Sequence, residues 1–135
     1  DSPPEAEPSI DFEVLQWRCA HSNVRTATEV VEARGEFCFV ALDVTNWGTD
    51  PATLDPSCQF LIDDENARYT PHPEVMALDE LAVDGFGRPI GPGEVVQNSA
   101  LYYDVPKGTS PARLELHETC DGPGRSVPLT PDLEA

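Results

Sequence analysis

Residues 37–48, F-C-F-V-A-L-D-V-T-N-W-G, constrain the fold more than any other stretch. Cys38, Val40, Leu42 and Val44 fall on one face at a period of two. Phe39, Ala41, Asp43 and Thr45 fall on the other, which grows more polar towards its end. That pattern describes a strand buried on one face and partly covered on the other. The turn formers of residues 46–51, N-W-G-T-D-P, stop it. This is the expected central strand of a β-sandwich.

The flanking chain reads as more strands. Residues 10–19 place Ile10, Phe12 and Val14 on one face, then Leu15, Trp17 and Cys19 on the other. A slip of one residue re-aims every later side chain, so a bulge or a sheet switch is expected near Val14. Residues 24–31 form a weaker edge or connecting strand, and residues 52–54 a short extended piece. C-Q-F-L-I-D (58–63) and A-R-Y-T (67–70) flank the polar turn Asp64-Glu65-Asn66, a hairpin. Residues 74–81 could form two helical turns, and residues 84–89 are loop. I-G-P-G-E (90–94) is a tight turn opening a strand at Val95. Residues 101–105 and 112–117 alternate as two neighbouring strands joined through 106–111, and 127–129 is a last strand. The sum is seven to nine short strands with at most one short helix, the pattern of an all-β sandwich. Residues 1–9 are acidic and Pro-rich and read as a flexible tether, 10–130 as the sandwich and 131–135 as a frayed tail.

A chain of 135 residues forms one domain and can bury a core without a metal. Its net charge of -17, with only 8 basic residues scattered along it, excludes the basic stripe that nucleic acid needs. No apolar run reaches membrane-spanning length, so a soluble domain is expected, any signal peptide having been removed or never included in the sequence. The 4 cysteines lack Cys-x-x-Cys spacing, and no histidine lies at a zinc-ligand interval from two of them. An even count in a small acidic β-rich chain points to two disulfides and an oxidising compartment, with three connectivities open.

No reactive constellation emerges. His21, His72 and His117 lie far apart, and neither G-x-S-x-G nor H-E-x-x-H occurs. Asp63, Asp64 and Glu65 lack the spaced ligands and glycine of a calcium loop and read as a solvated turn. His117 with Glu118 and Cys120 could gather a metal only if Cys120 were a free thiol. Neither enzyme activity, a cofactor nor a metal is expected. Trp17, on a strand face, reads as core. Trp47, in the turn after the central strand, could anchor a partner, and Tyr102 with Phe86 nearby completes the candidate binding patch.

Four stretches resemble a family of secreted immunoglobulin-like domains of unknown function from actinobacteria and other Gram-positive bacteria, related to the mycobacterial immunoprotective extracellular antigen. They are G-E-F-C-F-V-A-L-D-V-T-N-W-G (35–48), C-Q-F-L-I-D-D-E-N-A-R-Y (58–69), I-G-P-G-E (90–94) and Y-Y-D-V-P-K-G-T-S-P-A-R-L-E-L-H (102–117). The resemblance implies an immunoglobulin-like β-sandwich, export, and often a lipid or membrane anchor ahead of the domain. It also implies a Cys19–Cys38 bridge, which leaves Cys58–Cys120, and it brings no catalytic residues. The expected role is therefore a non-catalytic extracellular or cell-envelope binding or adaptor domain whose partner is another protein. A structural spacer in a larger envelope or sensor complex is the alternative; a metal-binding protein or hydrolase is more distant.

Overall fold

The structure, a computed structural model, describes residues 9–77 and 86–135. In chain order its elements are β1 (Ile10–Arg25), β2 (Val30–Asn46), β3 (Ala52–Thr53), β4 (Phe60–Asp63), β5 (Arg68–Tyr69), α1 (Pro73–Met76), β6 (Pro89–Ile90), β7 (Val95–Val105), β8 (Pro111–His117) and β9 (Gly124–Pro128). Two 3-10 turns, Pro56–Cys58 and Pro131–Leu133, complete them. The strands make an all-β antiparallel sandwich. One sheet has the order β1-β2-β7, the other β5-β4-β8-β9, and β3 pairs with β6 at the side.

β2 is central in its sheet. Its inward residues Cys38, Val40, Leu42 and Val44 are buried, and they pack with Leu61, Leu114 and Leu116 from the facing sheet. Its outward face is also partly covered. There Phe37 is fully buried against Val24, Val31 and Val75, the last carried by α1. His72 caps α1, its ring nitrogen accepting the Val75 amide, and meets the Phe37 ring edge-on at 5.5 Å. Val75 is the buried residue of the helix that was expected over 74–81; residues 78–81 of that expectation lie outside the described residues, as do 1–8 of the tether.

β1 slips register between Val14 and Gln16, where the change of phase was expected. A second bulge follows. Between the Arg18–Phe39 and His21–Phe37 pairs, Cys19 and Ala20 stand opposite Cys38 alone, with Ala20 at φ 73°. The Cys19–Cys38 disulfide links the two strands at that point, with the Cα atoms 3.9 Å apart. This is a cross-strand bond within one sheet. The other disulfide, Cys58–Cys120, joins the 3-10 turn before β4 to the β8–β9 turn.

Three expectations need correction. Residues 24–31 are not a separate strand: they are the end of β1, a turn and the start of β2. The Thr26 hydroxyl accepts the amides of Thr28 and Glu29 and closes that turn. Residues 101–105 and 112–117 are not neighbours, because β7 pairs with β2 whereas β8 pairs with β4 and β9. The 106–111 connection therefore crosses from one sheet to the other. The tail, expected to fray, is docked instead. The Trp17 indole N–H donates to Thr130 O at 2.9 Å, the Ala135 amide donates to Trp17 O, and Leu129 and Leu133 pack on the core. Leu133 within the tail, Leu129 just ahead of it and a buried tryptophan outweigh the polar composition from which fraying was read.

Leu42 is fully buried at the middle of β2. Leu42→Ala is expected to lower the free energy of unfolding by about 2 to 5 kcal/mol in a urea titration, the range for a truncated core leucine. A loss below about 0.5 kcal/mol would show that this face does not carry the core.

Candidate functional site

Trp47 is 70% exposed, the most exposed large apolar side chain among the described residues. The turn beneath it is fixed by Asn46, whose side chain is fully buried. Its Nδ2 donates to Asp50 O and Ile90 O at 2.9 and 2.8 Å, and its Oδ1 accepts the Gly48 amide at 2.8 Å. The Trp47 amide donates to Ser9 O, and the Gly93 amide, at a φ of 78°, donates to Asn46 O. An exposed indole thus stands on a backbone that is already ordered.

Tyr102 and Phe86 do not join it. Tyr102 is half-buried on the outward face of the three-stranded sheet, in register with Phe39, the two rings 6.2 Å apart. Phe39 is eight residues before Trp47 on β2, or roughly 26 Å at the strand rise. Phe86 is a correction: only 4% exposed, it belongs to the main core. The Gly87 amide donates to Leu54 O at 2.7 Å and draws this segment onto the core, so Phe86 has no surface to offer a partner.

The surroundings of Tyr102 carry no signal in the sequence motifs. A cavity of about 250 Å³ is lined by His21, Asn23, Val24, Arg25, Phe39 and Tyr102. Arg18, Phe39 and Tyr102 form one cross-strand row, and the His21 ring tilts against Phe39 at 5.5 Å. Only the period-two pattern of β1 beyond Cys19 could have signalled this, and the bulge at Cys19 and Ala20 interrupts it. A wider depression of about 550 Å³ is lined by Arg34, Gly35, His72 and Asp104. Its acid is already engaged: the Asp104 carboxylate accepts the amides of Arg34 and Gly35 at 2.8 and 3.1 Å.

The other titratable groups serve the fold. Partial burial pushes the Asp63 carboxyl up. The Ala67 amide, the Tyr69 hydroxyl and the Glu65 amide outweigh it and leave Asp63 below its ordinary value. Burial, and then the same contact with Asp63, pushes the Tyr69 phenol up. Glu115 is lowered, first by its hydrogen bond to His117 and then by Arg68. His117 has both ring nitrogens occupied, Nδ1 by Gly122 O at 3.0 Å and Nε2 by Glu115 at 2.9 Å. Glu118 accepts the Ile10 amide. Donor atoms of Asp55, Cys58 and Cys120 lie within 4.8 Å of one another, but the two sulfurs are bonded together and offer no thiolate to a metal.

The family model described as a domain of unknown function (DUF4352) matches residues 9–125, and the chain belongs to that family. No curated protein and no solved structure matches it.

Two outcomes follow from this chemistry. Because the folded Asp63 carboxyl is below its unfolded value, its contribution is complete above the unfolded value of 3.8 and lost as pH falls through the folded one. Asp63→Asn is therefore expected to flatten the acid limb of a stability–pH curve, and an unchanged slope below pH 3.8 would refute the assignment. Cys58 and Cys120 are the more exposed cystine, whereas Cys38 is only 1% exposed. Graded reduction with alkylation and mass mapping should open Cys58–Cys120 before Cys19–Cys38.

Proposed function

We propose that this DUF4352 domain is a non-catalytic binding or adaptor module of the extracellular space or cell envelope, acting on another protein through Trp47. The observation that carries the reading is the exposed indole on its hydrogen-bonded turn. Tryptophan is the side chain most enriched at the energetic centres of interfaces, and a backbone ordered beforehand spares the entropy of ordering it on binding. The occupied state of Asp63, Glu115 and His117 supports a role without acid–base chemistry.

Export is the compartment that best fits two disulfides, which are typical of secreted or extracellular proteins. The order of the β1-β2-β7 and β5-β4-β8-β9 sheets is compatible with an immunoglobulin-like topology. The four sequence motifs support kinship with the mycobacterial antigen family and a Gram-positive, actinobacterial setting. The net charge of -17 favours a partner with a basic surface around its tryptophan pocket.

Proximity capture in the native envelope, followed by titration of the captured partner, tests this reading. Trp47→Ala is expected to leave the unfolding midpoint nearly unchanged, since an exposed side chain contributes about 0.5 kcal/mol or less. Affinity for the partner should fall roughly 30-fold, the loss of an interface anchor worth about 2 kcal/mol. Undiminished binding by the Trp47→Ala protein would overturn the assignment.

A further inference from the structure

The cavity at the other end of the same sheet combines a wall of two aromatic rings with side-chain hydrogen-bond donors. Phe39 and Tyr102 supply the rings, and Asn23, Arg25 and Tyr102 supply an amide, a guanidinium and a hydroxyl. Among the described residues none of these three groups is hydrogen-bonded or ion-paired through its side chain. Burial pushes the Tyr102 phenol up, so its hydroxyl remains a donor at neutral pH. Arg18, in the row with Phe39 and Tyr102, is likewise unpaired among the described residues. Unpaired arginines are notable in a chain with 25 acidic residues and 8 basic ones. His21 Nε2, in the residue whose ring meets Phe39, is buried and has no hydrogen-bond partner among the described residues.

These donors ask for an acceptor, and the rings ask for a flat apolar group. A guanidinium fork matches a planar carboxylate. A multiply charged phosphate would meet the full repulsion of a chain at -17, and a singly charged acid meets less of it. A volume of about 250 Å³ admits one ring with a short acidic arm. We propose that the cleft formed by His21, Asn23, Arg25, Phe39 and Tyr102 binds a carboxylate carried on an aromatic side chain, as in an aryl-alkanoic acid or the terminal residue of a peptide ending in phenylalanine. The site is separate from Trp47 and stands whether or not that residue anchors a protein.

Heteronuclear NMR titration of the full chain tests it, with N-acetyl-L-phenylalanine as the probe, its amide as the control, and a short flexible peptide ending in phenylalanine as the second source. The acid is expected to shift resonances of residues 21–25, 39 and 102 and to leave Trp47 unmoved. The amide, and the acid against the Arg25→Gln protein, should bind about tenfold more weakly or worse, because a charge-assisted hydrogen bond is lost. Tyr102→Phe keeps the ring and should cost a smaller factor, and Trp47→Ala should cost nothing. Tighter binding of the peptide than of the free acid would identify a protein terminus as the natural ligand; equal or weaker binding would identify a small acid. The proposal fails if the acid causes no shifts up to about 10 mM, a limit beyond which binding carries little specificity. It also fails if acid and amide bind alike, or if inorganic phosphate displaces the acid from these residues.

Discussion

The two sheets of this domain meet at one buried glutamine. Gln59 precedes β4, and its carbonyl accepts the hydroxyl of Tyr103 from β7 in the opposite sheet at 2.9 Å. Its side chain donates to Asp55 O and His117 O and accepts the His117 amide, so each polar group of the amide has a partner. Tyr103 is fully buried, and its burial holds the phenol well above its ordinary value. Neutral groups in matched geometry let a polar contact cross an apolar core at little cost, whereas removing one partner would strand the others. The Cys58–Cys120 bond sits beside this node and closes a separation of 62 residues, worth about 4 kcal/mol in the chain-entropy account. Register between the sheets is thus held by a hydrogen-bonded amide and a covalent bond at one corner.

A second buried amide governs the opposite end of β2. Asn46 satisfies both its Nδ2 protons and its Oδ1 within residues 46–50 and 90, and its own backbone pairs with Glu94 and Gly93. It therefore ties the end of β2 to the I-G-P-G-E turn that starts β7. Glu94 reinforces that turn, its carboxylate accepting the Gly91 amide at 2.8 Å. The two motifs most recognisable in the sequence are, in space, one unit. What they hold in place is the backbone that presents Trp47.

How much of this was legible depended on whether the governing interaction was local. The inward face of β2, the bulge near Val14 and the hairpin at 58–70 follow from period-two patterning and turn chemistry within a dozen residues. The Asp64-Glu65-Asn66 turn is a local matter too, since Asp63 accepts amides from Glu65 and Ala67. Phe86 and the C-terminal tail were misread because their partners, Leu54 and Trp17, lie far off in the chain. Composition describes solvation, and it carries no information about a tryptophan 113 residues away that offers a donor to the tail. The sheet change between β7 and β8 escaped for a related reason. Alternation says that a strand has an inner face but does not say which sheet that face belongs to.

The cleft was the least legible feature, and its origin is geometric. A strand that kept strict alternation beyond Arg18 would have continued the ladder with one β2 residue opposite each β1 residue. Instead Cys19 and Ala20 share Cys38, and farther on His21 pairs with Phe37 while Asn23 pairs with Glu32. Residues 33–36 of β2 therefore have no pairing partner in β1, although Glu36 still pairs with Val105 of β7. Gly35 allows this because its α-carbon packs directly under Val105 O, where a Cβ would lie 2.1 Å from that oxygen. This unpaired stretch, together with α1 over Phe37, leaves Phe39 and Tyr102 as one wall and the twisted end of β1 as the other. The Cys19–Cys38 bond lies at the first step of this distortion, so it fixes the point from which the cleft opens. A disulfide that reads as a staple for stability also fixes the strand from which Asn23 and Arg25 face Tyr102. The bulge and the bond together turn a flat sheet face into a concave one.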